Sequence, residues 1–395
     1  MALSPGPAPT AESRAAIRLA GYAGFILIGW NAVLIPSLIR SVEQAFHQSD
    51  AAFGFFYFLS ALVYAAGSLG GGFVTERVGR RPVLALAALL LGVGLAGEAG
   101  APSWLLVLAA ALPVNLGAGA IDGGVNGLFL DLFREARGGA LSLLHVFFSV
   151  GALLAPFSVG QLVAAGVGWR ILVLIPGAAA LALAAYFGSL PMPSGHAGRA
   201  VPATDQVDQT ERSLLPFAGL AVAICLYVAG EVGVSSWLVR FLSGEPVALA
   251  TAVLSGFWGG LALGRLVSNR VAERFDYTRF IAGCFAATAV TTVAASIVPM
   301  FPLAAALFGL AGFFSGPIYP MIMALGGDIY PHRLAALSGS LGASAVIGSV
   351  TYPALVGVTA ARVGLRTGMV GAGLLSIPGA LAVLAAAALA RRMES

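Results

Sequence analysis

The chain has 395 residues, 59% of them hydrophobic and only 10% charged, with a formal net charge of +4. A soluble domain carries about 25% charged residues, so this composition excludes a soluble globular protein and points to a polytopic membrane protein. All 21 basic residues are arginine, and most lie between apolar runs, which fits loops retained on the cytoplasmic side rather than nucleic-acid binding.

Residues 1–14 are rich in Pro and Ala. Arg14 and Arg18 then precede an apolar run too long for the core of a signal peptide, so no cleavable signal is expected. Twelve apolar runs of spanning length follow, at about 16–39, 51–74, 82–100, 103–130, 140–164, 170–190, 214–239, 249–269, 279–298, 303–327, 336–360 and 367–390. The 52 glycines suit such a chain, because small residues let helices approach closely where water supplies no driving force. With the N-terminus in the cytoplasm, the inner loops hold ten arginines, among them Arg77, Arg80, Arg81, Arg134 and Arg137. The outer loops hold five: Arg40, Arg170, Arg240, Arg362 and Arg366. Both termini are therefore expected in the cytoplasm, in a cell inner (plasma) membrane. Glu98 reads as an outer-surface residue, and Arg265 as a side chain that snorkels or pairs with a helix end. Cys225 and Cys284 both lie within apolar runs and read as small core residues.

Residues 191–213 have linker composition and fall after the sixth run. The expected organisation is a six-helix bundle over 1–190, a cytoplasmic linker over 191–213 and a second six-helix bundle over 214–395. The halves resemble each other. Asp131-Leu-Phe-Arg leads to Ala140-Leu-Ser, Pro156 and Gly160; Asp328-Ile-Tyr-Pro-His-Arg333 leads to Ala336-Leu-Ser, Pro353 and Gly357. Internal repeats of this kind mark secondary transporters.

The fourth run contains Asp122, and Asn126 shares its helical face one turn on. A carboxylate at bilayer depth costs at least ~2.5–3.5 kcal/mol, so a chain that places one there usually uses it. The plainer alternative is a carboxylate satisfied by a neighbouring helix.

Between the second and third runs stands Gly72-Phe-Val-Thr-Glu-Arg-Val-Gly-Arg-Arg81. This resembles the signature loop of the major facilitator superfamily, with Glu76 where an aspartate is usual. Gly264-Arg-Leu-Val-Ser-Asn-Arg-Val-Ala-Glu-Arg274 is a degraded second copy. The resemblance implies an all-α membrane protein of twelve transmembrane helices in two pseudo-symmetric six-helix bundles. It also implies that Gly72, Glu76, Arg77, Gly79, Arg80 and Arg81 form a cytoplasmic gate favouring the outward-open state. The alternative is a tight glycine turn flanked by topology-setting arginines.

Finer features are His145-Val-Phe-Phe-Ser-Val-Gly-Ala-Leu-Leu-Ala-Pro156, Tyr227-Val-Ala-Gly-Glu-Val-Gly-Val-Ser-Ser-Trp237 and Phe257-Trp-Gly-Gly-Leu-Ala-Leu-Gly-Arg-Leu266. With Asp122 and Asn126 they resemble the fucose/glucose-type sugar porters, a branch that includes sodium-glucose solute carriers. A sugar needs polar side chains for its hydroxyls and aromatic rings for its C–H faces. The candidate substrate-binding residues are Trp30, Asn31, Asn115, Asp122, Asn126 and His145 in the first half. In the second half they are Glu231, Trp237, Trp258, Tyr319 and Tyr352. At 1.5 Å per residue, Asn126 and His145 fall at similar depth, roughly 15 Å from the inner edge, so a contact between them is expected.

Asn31 and Asn115 serve equally well as interhelical glue. Trp237 suits an interfacial belt, and Tyr319 and Tyr352 suit packing at the kinks of Pro320 and Pro353. Asp122 and Glu231 are the two acids placed deep in the runs, and an acid that alternates between aqueous faces can load and release a proton. A sodium site built on Asp122 and Asn126 is the alternative. No nucleophile–base pair, metal-ligand spacing or phosphate loop stands out, so neither an enzyme nor a resident cofactor or metal is expected. The expected function is proton-coupled transport of a small polar solute, most naturally a monosaccharide, by a monomer in the bilayer. Export of a drug or lipid by the same fold is a rival, and a non-transporting sensor a remote one.

Overall fold

The computed structural model describes residues 11–133, 137–192, 214–271, 276–330 and 334–394, and all regular structure among them is helical. In hydrocarbon, every backbone N–H and C=O must be satisfied within the segment, and a helix does this by itself. The helices of the first half are α1 (Ala11–Phe46), α2 (Asp50–Val78), α3 (Arg80–Gly100), α4 (Trp104–Leu132), α5 (Arg137–Ala164) and α6 (Trp169–Ser189). Those of the second half are α7 (Leu215–Phe241), α8 (Val247–Val271), α9 (Tyr277–Ile297), α10 (Phe301–Ser315), α11 (Ile318–Ile329), α12 (Leu334–Leu374) and α13 (Ser376–Glu394).

Two features separate helix count from crossing count. The tenth apolar run, expected as one helix, divides into α10 and α11 at Gly316-Pro317. Proline has no N–H for the helical ladder, and its ring crowds the preceding turn. The two pieces still form one apolar stretch, Phe301–Ile329. Conversely, the last continuous helical stretch long enough to span, Gly339–Arg392, has 54 residues. At 1.5 Å per residue that is about 80 Å, against a hydrocarbon core of about 30 Å. Gly364, at φ 75° and ψ 153°, breaks the helical backbone inside it. That glycine divides the stretch into two pieces each long enough to cross, which brings the eleven apolar stretches among the described residues to twelve.

The exterior is apolar. Leu69, Phe73, Leu105 and Val290 are each about 70% exposed (69%, 72%, 74% and 69%), as side chains that face lipid tails must be. Several arginines expected in loops stand on helix ends instead. Arg40, Arg77, Arg170 and Arg240 all lie within helices, because α1, α2 and α7 continue past the apolar run and α6 begins one residue before Arg170.

By packing, the chain forms two compact units. The first comprises Met1–Leu34, Ser60–Leu154 and Gly166–Thr210; the second comprises Ile35–Leu59, Ala155–Ala165 and Glu211–Ser395. The ends of α1, α2 and α5 that lie farthest from the signature loop thus pack as part of the second unit. The linker expected over 191–213 lies outside the described residues except for Pro191 and Met192.

Glycine pairs set the helix seams in both units. In the first, Gly67 and Gly71 of α2 meet Gly119 and Gly123 of α4. A methyl on Gly119 would overlap the Tyr64 carbonyl, and one on Gly123 the Ser68 carbonyl. In the second unit, Gly260 and Gly264 of α8 meet Gly312 of α10 and Gly316 at its C-terminal end in the same way, against the Phe257 and Leu261 carbonyls. One constant step along the chain carries each glycine of the first set to its counterpart in the second. The backbones touch, which is how helices gain packing energy in lipid.

The first unit buries Ile17, Phe25, Ile28, Leu84, Leu91, Ile121, Val125 and Phe129. The second buries a cluster that includes Leu220, Ile224, Phe285, Ile318, Ile322, Leu341 and Val383. Glu98, expected at the outer surface, is 2% exposed. It continues the stripe of Leu84, Ala88, Leu91 and Leu95, all buried at helical spacing where α3 packs on α4 and α6.

Candidate functional site

Asp122 lies on α4 directly over the glycine seam with α2. Asn126, one turn on, donates its amide to Asp122 Oδ1 at 2.9 Å. From α2, the Ser68 hydroxyl reaches Asp122 Oδ2 at 3.5 Å, and the Tyr64 hydroxyl also hydrogen-bonds the carboxylate. Tyr64 and Ser68 are one turn apart, so they share a face, and their carbonyls are the atoms that Gly119 and Gly123 approach. The close seam brings these donors to the acid. Neither Tyr64 nor Ser68 is among the sequence-derived candidates. The available signal was two glycines four apart on α2 facing two glycines four apart on α4.

Applied to this site, the chain step between the two glycine seams has a clear result. It takes Tyr64 to Phe257, Ser68 to Leu261, Asp122 to Ser315 and Asn126 to Tyr319. The second unit keeps the seam and replaces the carboxylate and both of its α2 donors. There Ser315 Oγ lies 3.5 Å from Thr288 Oγ1. The seam therefore holds without an acid, and the Asp122 quartet is an addition to it.

Glu231 stands on α7 one turn after Tyr227. Its Oε2 is enclosed, and the Tyr227 hydroxyl, enclosed as well, interacts with the Glu231 carboxylate and with Arg265. Arg265 of α8 acts on both. Arg265, expected to snorkel or pair with a helix end, is half-buried and close enough to interact with both groups. A guanidinium inside an apolar bundle is favourable only beside an anion.

The remaining candidates divide by what their polar atoms do. Trp237 is fully buried, with its indole N–H on the Pro353 carbonyl at 3.0 Å and its ring edge-on to Tyr57 at 5.5 Å. Trp258 is buried and donates to Ser235 Oγ at 3.0 Å. Tyr352 donates to the Gly368 carbonyl at 2.7 Å, and its ring fills the space above Gly233. Asn115 donates to the Ala111 carbonyl of its own helix at 2.9 Å. Tyr319 is half-buried against the core of the second unit. Asn31 and Trp30 are half-buried on α1, and Trp30 Nε1 is enclosed without a partner, as is Ser60 Oγ of α2. His145 is exposed on α5, with Phe25 edge-on at 5.7 Å. Where an Asn126–His145 contact was expected, the Asn126 amide nitrogen serves Asp122.

Of the expected gate, the side chain of Glu76 lies outside the described residues, and Gly72 is placed only as part of α2. Gly79 separates α2 from α3 at φ 95°, a backbone conformation that favours glycine. Arg80 forms an ion pair with Asp131 at the end of α4, while Arg77 and Arg81 are exposed.

A second polar network lies in the second unit, at the far end of α1 and α7. Arg40 donates to the carbonyls of Val239 (2.9 Å), Glu245 (2.7 Å) and Leu242, capping the C-terminal end of α7. Arg240 bridges Glu43 and Asp50 at 3.0 Å each. The Tyr57 hydroxyl donates to the Ser236 carbonyl at 3.1 Å, and a methyl on Gly54 would press on the Ala354 carbonyl. A cavity of about 400 Å³ opens here beside Arg40, Glu43, His47 and Arg240, and no candidate site residue lines it.

The sequence profile of the Major Facilitator Superfamily matches residues 21–245. An uncharacterised transporter of that type from Bacillus subtilis, YfkL, is 21% identical, with 87% of this chain and 89% of the relative covered. Among solved structures, a bacterial homologue of the human lysosomal transporter Spinster, inward-facing and unoccupied, superposes with a TM-score of 0.80 at 16% identity, covering 97% of this chain and 98% of that one. A D-xylose–proton symporter superposes at 0.75 with 17% identity, covering 94% and 97%. These relatives and neighbours are transporters, not enzymes, and the chain belongs to the Major Facilitator Superfamily.

Proposed function

We propose that this transporter carries a small polar solute, a monosaccharide or similar polyol, by alternating access coupled to protons. Enclosed polar atoms without a hydrogen bond of acceptable geometry support the reading in each unit taken by itself: Trp30 Nε1 and Ser60 Oγ in the first, Glu231 Oε2 in the second. Leaving such a group unsatisfied costs about 1–3 kcal/mol, and a ligand that supplies the missing bonds removes that cost. Hydroxyls both donate and accept, so a polyol can satisfy an N–H, a hydroxyl or a carboxylate oxygen alike. Asn31 and His145 in the first unit, and Trp258 and Tyr319 in the second, are the remaining proposed contacts. The fucose/glucose-type resemblance of the fifth, seventh and eighth runs leans the same way, as does a D-xylose–proton symporter among the fold neighbours.

Asp122 and Glu231 are the acids proposed to carry the proton. The signature loop, from Gly72 to Arg81, is proposed as the cytoplasmic gate, supported by the Arg80–Asp131 pair. The arginine distribution supports both termini in the cytoplasm; a monomer in the inner membrane is part of the same proposal.

Sodium coupling is the second reading. It is favoured by the hard oxygens that Tyr64, Ser68, Asp122 and Asn126 bring into one cluster. Counterflow in liposomes tests the substrate: vesicles loaded with unlabelled sugar should take up labelled sugar from outside. Replacing sodium with choline at fixed pH should leave that uptake unchanged. Exchange of a lipid or cationic drug without exchange of any sugar would contradict the substrate reading, and loss of exchange in choline would favour sodium.

A further inference from the structure

We propose that the two deep acids divide the work: Asp122 carries the coupling proton, while Glu231, matched in charge by Arg265, remains an anion whose Oε2 accepts a substrate hydroxyl. The proposal rests on the proton-coupled reading above and assigns its steps to separate residues.

The groups that reach Asp122 are Tyr64 and Ser68 from α2 and Asn126 from α4 itself, and none of them is charged. Three dipoles orient a carboxyl group but do not cancel its charge. When access closes and water leaves, that charge must be neutralised by something taken from solution. In a sodium-free medium the available species is a proton. The nearest ion pair on the same helix, Arg80–Asp131, is more than two turns away at the helix end.

Glu231 is placed differently. Arg265 from α8 acts on it, and Tyr227 lies one turn away on α7. On α12, packed against α7, the Tyr352 hydroxyl donates to the Gly368 carbonyl, and Arg362 and Arg366 are exposed. A carboxylate and a guanidinium sum to zero, so this cluster can pass through a dry state without binding a proton. Glu231 Oε2 is enclosed without a hydrogen bond of acceptable geometry, and a bound hydroxyl would supply one. The duplicated seam separates the two roles further. The second unit keeps the glycine contact but has Ser315 and Leu261 where the first has Asp122 and Ser68, so the acid is not needed for packing. Tyr64 and Ser68 are positioning residues, and Arg265 is the counter-ion.

Infrared difference spectroscopy of the protein in sodium-free liposomes tests this directly. The carboxylic C=O stretch is followed as pH is lowered, in an E98Q background so that the buried acid of α3 contributes no band. No solute is added, so the result stands whether or not sugar uptake is ever observed, and failure of the substrate reading is distinguishable from failure here. The expected result is an acid-induced band that shifts in D2O, is lost in D122N and persists in E231Q. R265Q should add a second band, which disappears when E231Q is combined with it. Loss of the band in E231Q with retention in D122N would overturn the proposal. So would loss in both, absence of any acid-induced band in the parent, or no change in R265Q. Retained size-exclusion profiles and circular dichroism distinguish loss of a band from loss of the fold.

Discussion

Trp237, Tyr352 and Asn115 carry the chemistry a sugar site would use, yet each donates a hydrogen bond to a backbone carbonyl. Their sequence positions could not separate ligand contact from packing, because which carbonyl a residue meets depends on a helix more than 100 residues away for Trp237. Asp122 and Glu231 were legible, since a charge inside an apolar run is conspicuous whatever surrounds it. Their partners were not. Tyr64 and Ser68 look like ordinary residues of a small-residue helix, and Arg265 looks like a helix-end arginine. Trp237→Phe keeps the ring but strands the Pro353 carbonyl. It should cost about 1–3 kcal/mol, read as a lower unfolding midpoint in detergent, while solute exchange survives. Loss of exchange at unchanged stability would instead place Trp237 in the solute's path.

At the scale of elements, helix number and order followed from the apolar runs because bilayer thickness sets run length. The break at Gly316-Pro317 and the turn at Gly364 were less visible, since Gly and Pro are common in membrane helices and only some of them interrupt one. Glycine abundance predicted close packing in general. It could not show that Gly119 and Gly123 face Gly67 and Gly71. That pairing leads to a controlled prediction. Gly119→Ala or Gly123→Ala drives a methyl into an α2 carbonyl, separates the seam and pulls Tyr64 and Ser68 from Asp122. Both should still insert but lose proton-driven accumulation. Gly127→Ala, on the same helix with open space around its Cα, should leave accumulation intact and stabilise by up to about 1 kcal/mol through helix propensity. Equal loss in all three would mean that α4 tolerates no added bulk and that the seam is not special.

For the whole molecule, the internal repeat anticipated two halves, and packing divides the chain into two compact units with other bounds. The sequence did not show that the far ends of α1, α2 and α5 pack as part of the second unit. Charges on helix ends read as topology signals, whereas Arg40 and Arg240 bind α7, Glu43 and Asp50 into one network. Alternating access requires first-half helix ends to leave second-half helices at some point in the cycle, and this network resists that step. In a Cys225→Ala, Cys284→Ala background, Ser37→Cys is 1% exposed at the parent position and should label slowly with a membrane-impermeant maleimide. Adding Arg40→Ala and Arg240→Ala should raise the labelling rate about tenfold or more, the change expected from losing roughly 1.4 kcal/mol of closure. An unchanged rate would remove the network from gating.

Proton-driven accumulation in liposomes tests the central claim most directly. Protein reconstituted in sodium-free vesicles, with an inward proton gradient imposed, is offered a labelled monosaccharide. The account predicts accumulation above the external concentration that collapses when a protonophore is added, and that D122N abolishes while retaining counterflow. Uptake that only equilibrates and ignores the gradient, or accumulation undiminished in D122N, would contradict it.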